Sequence, residues 1–473
     1  MLRAMLYTPV LAAVLAGGTS AHAQSSPRQL KPVEIKSEPV KDSFTVAAVG
    51  DIIYLRPMLK TIERRSPDML QILRSADITV GNLETTVLDL RTFKGSPQAE
   101  SGGTWMLADP KIIDDLQAMG FDVVTDANNH ATDWGVEGLT TTLDLLDRAG
   151  ITHAGAGPTV SAARQPGYAD LSFGRVGVVA ATSTFTPMSR ASDALGAVNG
   201  RPGVNAIRTQ QIGLVNPDDL AVLKRFTGTS GDKPVELGQL KFRAASAATV
   251  PMQLDYDADA RDIAANLLAV RLAKENGNFV MFSLHNHEFG AELDMPATFA
   301  VQLAHQVIDA GADMFIGHGP HVLRGIEIYK GKPIFYSLGN FAMMNNSLDV
   351  GPSDIFEQFN VDPRSTTLPE VLTARNAQVF AAAEYFESVI PVTCFTNGKL
   401  AEILLYPLDL GTTSSGSSHG VPAMADAVVG RRILQRLRRL SEPFGTKISI
   451  EGNIGHIKAP GAGHCGAAKG YAG

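Results

Sequence analysis

Cysteine is nearly absent from this chain, with 2 in 473 residues. That excludes a disulfide framework and any four-cysteine metal cluster. There is no excess of positive charge: 41 basic against 48 acidic residues leave a net charge of −7, which offers a nucleic acid nothing to hold. Beyond the first residues, no unbroken apolar run reaches the length needed to span a bilayer. No G-x-x-x-x-G-K-[ST] loop and no G-x-S-x-G elbow occur, so nucleotide-driven synthesis and serine hydrolysis both lack an anchor. What is present is ordinary globular material, 44% hydrophobic and 19% charged, enough for a sizeable core.

The beginning of the chain reads as a secretory signal peptide. Arg3 supplies the positive start, Leu6 to Leu15 an apolar run, and Ala21-His22-Ala23 a small-residue cleavage site before Gln24. The mature protein is therefore expected to be exported, periplasmic or extracellular, with no transmembrane segment. An oxidising compartment permits one bridge, Cys394 to Cys465, although a buried free thiol and an incidental tail thiol is the plainer reading.

Residues 24–42 form a polar lead-in. From Phe44 onwards short apolar runs alternate with helical periodicity, which indicates an α/β layered domain over residues 43–410. Strands are expected at 44–49, 77–80, 122–125, 279–284, 313–316, 322–329, 333–338, 387–393 and 400–407. Helices are expected at 137–148, 262–275 and 299–310. The rhythm lapses at 186–259, rich in Gly, Pro, Asn and Asp, which reads as a large irregular insertion or lid. It weakens again over 351–384. A linker at 411–420, a basic helix at 428–440 and a Gly/Ala tail complete the chain.

In such domains functional residues gather just beyond the carboxyl ends of the strands. Asp51 follows the first run, Asn82 and Glu84 the second, and Asn128-Asn129-His130 the third. His285-Asn286-His287 and His318-Gly319-Pro320-His321 follow two later ones. Five of the 11 histidines thus sit at strand ends. Asp, Glu, Asn and His are together the donors that zinc, manganese or iron take. Each piece alone is a turn residue or a packed histidine. His285 and His287, two apart, share a face in an extended chain, and the Gly-Pro turn can aim His318 and His321 inward.

Five ordered motifs carry a resemblance. GNLETTV (81–87), ANNHATDWG (127–135), SLHNHEFG (283–290), GHGPHV (317–322) and YSLGNF (336–341) resemble the CapA family of poly-γ-glutamate capsule biosynthesis proteins, from about Phe44 to Leu410. The resemblance implies the calcineurin-like metallophosphoesterase fold, a four-layer α/β/β/α sandwich with a metal centre at one edge of the paired sheets. It implies divalent metal ligands at Asp51, Glu84, Asn129, His285, His318 and His321, the ion being Mn, Zn or Fe. His130 would be the catalytic proton donor near the leaving group. Asn82, Asn128, His287, Glu288 and Asn340 stand as candidates for supporting those ligands. Two departures stand out. Ile53 occupies a place where two-metal phosphoesterases commonly have histidine, and the family's HWG-x-E pattern reads His285-Asn286-His287-Glu288, leaving the roles of His287 and Glu288 open.

The implied function is an exported metal-dependent hydrolase acting in synthesis, trimming or release of a capsular polymer such as poly-γ-glutamate. The substrate would be an anionic polymer or a phosphoester, and other capsule synthesis proteins are candidate partners. The alternative is a non-catalytic polymer-binding or assembly subunit that keeps the fold. Arg201 and Arg208 in the insertion read as solvated surface, and Trp105 and Trp134 as packing residues. The helix at 428–440 reads as a surface helix docking an apolar stripe.

Overall fold

The computed structural model describes residues 38–40, 43–98, 104–231, 233–245, 252–411 and 418–459. The signal peptide, most of the lead-in, part of the 411–420 linker, Cys465 and the Gly/Ala tail lie outside the described residues.

The first strand, Phe44–Ile53, is buried along its whole length and runs past the expected end at Val49, so Asp51 lies within it. It is central to a ten-stranded sheet. On one side follow the parallel strands Ile78–Asn82, Val123–Thr125 and Thr152–Ala154. On the other lies Glu387–Thr396, antiparallel, then Lys399–Asp409. A second sheet of six strands has Gly174–Thr182, Phe279–His285, Met314–His318 and Lys332–Phe335 in parallel, with hairpin partners at both edges.

Alternation along the strands sorts the core. Val46 and Ala48 of the first sheet pack with Val178, Met281 and Ile316 of the second. Ala47 and Val49 turn the other way, onto Leu70 and Leu73 of helix Pro67–Ser75 and Leu116 of helix Ile112–Met119. The outer face of the second sheet, through Val179, Phe282 and Phe315, meets Val270 and Ala273 of Ala260–Asn276 and Leu303 of Thr298–Asp309. Buried on both faces, the parallel strands need the continuous apolar runs that made them visible in the sequence.

Besides elements that the expected set lacks, such as strand Gly174–Thr182 and helices Pro67–Ser75 and Ile112–Met119, three longer segments differ from expectation. The 186–259 insertion contains a four-stranded sheet with helix Pro217–Thr227 and its own small core of Val215, Val235 and Phe242. The weakly patterned 351–384 stretch holds helices Ser353–Gln358 and Leu368–Val379, the second opened by a capping box in which Thr367 and Glu370 satisfy each other's backbone amides. The chain also returns to the body beyond residue 410. Strands Ser449–Glu451 and Ile454–Lys458 extend the ten-stranded sheet, and helix Ala427–Ser441 buries Ile433, Leu434 and Leu437 in the core between the sheets.

Cys394 is disulfide-bonded, and no described cysteine is free. This corrects the free-thiol reading; the other cysteine of the sequence, Cys465, lies outside the described residues. A half-cystine and a buried thiol are alike in size and polarity, so an apolar strand pattern does not tell them apart. The two tryptophans are buried, Trp134 donating from its indole to the Met106 carbonyl at 3.1 Å. Arg208 is drawn into structure, its Nε donating to Asp262 at 2.7 Å.

Candidate metal centre

Two registers bring the donors together. In the first sheet Asp51 lies level with Asn82 on one side and Asn340 on the other. In the second sheet His285 pairs with His318. The sheets face each other, so these rows meet at their carboxyl ends. Asp51 Oδ1 is 3.5 Å from His318 Nδ1 and 3.8 Å from His285 Nδ1, and its Oδ2 is 3.6 Å from His321 Nδ1. Glu84 Oε1 lies 3.8 Å from both His285 Nε2 and His321 Nε2. Asn129 Oδ1 is 2.7 Å from His285 Nε2. All six residues expected as ligands therefore converge in one cluster.

Local devices hold this geometry. The Asn82 amide donates to Asp51 Oδ1 at 2.8 Å and lies 3.1 Å from His285 Nδ1. The Gly319 N–H donates to Asp51 Oδ2 at 3.0 Å. Gly319 has φ +108°, and a Cβ there would sit 2.8 Å from the Asn286 carbonyl, so the turn between His318 and His321 requires glycine. His321 itself has φ +59°, an uncommon conformation for a side chain with a Cβ, and its Nδ1 lies 2.9 Å from Asn340 Oδ1.

His287 and Glu288 separate clearly. The His287 ring turns inward, with Nε2 3.1 Å from His285 Nε2, and it can share an ion with Glu84 and His285. By position His287 thus stands among the candidate donors. Glu288 turns away to accept hydrogen bonds from Ser183, Thr184 and Thr209, and does not join the cluster. The period of two in extended backbone sends neighbours to opposite sides. Asn128 also stays behind it, donating to the Leu83 carbonyl at 2.8 Å. Ile53 is buried in the helix-side core and supplies no donor.

Asp133 was not singled out from the sequence. Its Oδ2 is 2.7 Å from His130 Nδ1 and accepts from the Met106 N–H at 2.6 Å. That leaves His130 Nε2 on the side of Glu84, 4.0 Å from Oε1. The signal was present three residues after His130, inside the ANNHATDWG motif.

The electrostatics of the cluster fit a cation. Burial raises Asp51 to about 7 against the pull of its hydrogen bonds from Asn82 and Gly319. Burial, then the negative charges of Asp51 and Asp133, push Glu84 far above the carboxylate range. Burial lowers His318 to about 3 and His321 to about 4, and takes His285 and His287 well below neutrality. Neutral imidazole is the form that binds metal. Both carboxylate oxygens of Glu84 and both ring nitrogens of His318 are buried without a hydrogen-bond partner. Such groups cost about 1–3 kcal/mol each unless something satisfies them. Nitrogen and oxygen donors left open at close range are what a divalent ion satisfies.

These features describe an α/β protein with a candidate metal centre at the edge of two facing sheets. The chain belongs to the bacterial capsule synthesis protein family PGA_cap, whose family model matches residues 45–345. It is 41% identical over 433 residues to the uncharacterized protein y4sH of Sinorhizobium fredii, covering 89% of this chain and 94% of that one. It is 29% identical over 307 residues to the PGA biosynthesis protein CapA of Bacillus subtilis, covering 63% of each. Among solved structures, the NAD nucleotidase of Haemophilus influenzae covers 84% of this chain and 56% of its own at 12% identity, with a TM-score of 0.31.

Proposed function

We propose that this protein is an exported, metal-dependent hydrolase acting in the making, trimming or release of a cell-surface polymer such as poly-γ-glutamate. The observation that carries the reading is the set of buried donor groups without hydrogen-bond partners, Glu84 and His318, within a ring of Asp51, Asn129, His285, His287 and His321. Family membership and the name of the Bacillus subtilis relative support the polymer. The helix–sheet–sheet–helix packing fits a four-layer sandwich of the metallophosphoesterase type. No helix among the described residues is long and apolar enough to cross a membrane, which is compatible with export.

Asp51, Glu84, Asn129, His285, His318 and His321 would hold Mn, Zn or Fe, with His287 as a further donor. A bound divalent cation supplies Lewis-acid polarisation and lowers the pKa of water at its site. Asn82 keeps Asp51 and His285 in register by bonding to both. Asp133 fixes the His130 ring through Nδ1, so that Nε2 can give its proton to the departing oxygen or nitrogen. Water then adds across a phosphoester or an amide, its hydroxyl going to phosphorus or carbon. The donor set does not choose between these bonds.

The test is metal analysis of purified full-length protein, then assay of the metal-loaded protein on phosphoesters and γ-glutamyl amides. Stoichiometric transition metal with turnover of either substrate class is expected. Protein that holds no metal and gains no activity with Mn²⁺, Zn²⁺ or Fe²⁺ would remove the hydrolase reading and leave the polymer-binding or assembly subunit.

A further inference from the structure

The histidines of the centre are held in two ways. His285 and His318 pair with each other at the ends of adjacent strands, so sheet register fixes them. His287 and His321 lie beyond any strand. His287 follows the end of Phe279–His285, and His321 sits in a left-handed turn at φ +59°. Their rings nonetheless meet edge-on, with centroids 5.2 Å apart. A strained backbone conformation costs about 1–3 kcal/mol and persists only where its surroundings impose it. Contacts other than the sheet ladder therefore hold these two rings.

One side chain reaches both segments. Arg324, three residues after His321, is 0% exposed, which is rare for arginine. Its backbone N–H donates to the Ser337 carbonyl at 3.1 Å and fixes the chain just past the His321 turn. Its guanidinium crosses to the segment after His287, where Nη2 donates to the Glu288 carbonyl at 2.9 Å and Nε to the Leu293 carbonyl at 3.1 Å. The Asn286 amide donates to the same Glu288 carbonyl at 3.0 Å, and the His287 N–H donates to Thr184 Oγ1 at 2.8 Å. The negative charges of Glu288 and Asp294 act on the guanidinium, while its Nη1 is buried without a hydrogen-bond partner. A buried arginine with a nitrogen unpaired costs stability relative to an apolar side chain of similar size. Packing alone does not account for it.

Resting on the metal-centre reading above, we infer that Arg324 is a positioning residue, clamping the His287 segment to the His321 turn so that both rings face the ion site together. The planar fork of a guanidinium suits this task. Its fixed geometry holds two carbonyls at a set spacing, which a flexible lysine ammonium does not.

Competition between the full-length protein and a chromophoric chelator for Zn²⁺ tests it. Arg324→Met, of similar length but without donors, is expected to weaken Zn²⁺ binding about 10–100-fold, as when an outer partner of a metal ligand is removed. Arg324→Lys keeps the charge and should recover part of that loss. In a His287→Ala background Arg324→Met should cost clearly less than in wild type, because both changes act through one donor. Equal cost in the two backgrounds would make Arg324 a general packing residue and overturn the inference. Crystals of metal-free Arg324→Met give a second reading, in which the His287 and His321 rings should leave their 5.2 Å edge-on spacing. Unchanged rings overturn the clamp. Where Arg324→Met fails to fold, Arg324→Lys takes its place in both measurements, with the same non-additivity and a smaller loss expected. Wild type that binds no Zn²⁺ removes the hydrolase reading, and the ring spacing, read without metal, still decides the clamp.

Discussion

The strand Met314–His318 is flanked at its two ends by buried ionisable groups that are treated in opposite ways. Just before it, Asp313 accepts from Lys274 Nζ at 2.8 Å, Lys332 Nζ at 2.6 Å and the Val280 N–H at 3.0 Å. At its far end, His318 and the facing Glu84 have buried polar atoms with no hydrogen-bond partner. The chain supplies its own cations to Asp313. It places four imidazoles whose burial keeps them neutral around Asp51 and Glu84. A buried carboxylate is stable only when paired or protonated. The contrast therefore marks the carboxyl end of the strand as the place where a cation from outside is expected, and the amino end as structural.

Substitutions at the two ends should break differently, and the largest effect belongs to the donors. Glu84→Gln or His318→Ala should abolish bound metal and turnover together, measured by elemental analysis and rate on one preparation. Full metal content in either variant would end the comparison. Next comes His130→Ala, expected to cut turnover by about 10²–10⁴-fold while metal content stays nearly unchanged. Loss of metal equal to that of His318→Ala would make His130 a ligand. Asp133→Asn should cost about 10–100-fold, as for outer partners that orient a working imidazole. An activated ester that needs no proton should be almost indifferent to both changes.

Asp313→Asn is the reciprocal experiment. It strands Lys274 and Lys332 and should lower unfolding free energy by about 3 kcal/mol in denaturant titration, with metal content per folded molecule unchanged. The smallest effect sharpens the contrast from the other side. Adding divalent metal at about a hundred times its dissociation constant should stabilise wild type by about 2.7 kcal/mol, seen as a rise in melting temperature. The same increment is expected in Asp313→Asn and none in Glu84→Gln. A rise in Glu84→Gln would place the ion elsewhere.

Local sequence determined a good deal. Strands buried on both faces are continuous apolar runs, so most of the parallel strands, and the residues following them, were readable directly. The spacing of two between His285 and His287 already implied a shared side, and Gly-Pro between His318 and His321 a turn that aims both rings. Thr367 and Glu370 form a capping box three residues apart that marks the start of helix Leu368–Val379, a signal present but overlooked.

Only the tertiary structure decided the rest, because it depends on partners far apart in the chain. The inward turn of His287 and outward turn of Glu288 are set by Thr184 and Thr209, distant segments that receive them. Asn82 and Asn340 become supports because strand register lays them on either side of Asp51. The basic helix docks its apolar stripe as expected, but only the structure shows that the stripe enters the core between the sheets and that Arg432 donates to Glu387 at 2.7 Å. Periodicity reports which face of an element is apolar, and it carries no information about what that face meets. Asp51 and Glu84 were legible as candidates from their places after strands. That they lie buried together among neutral imidazoles is a property of two sheets packed face to face, and no local pattern contains it.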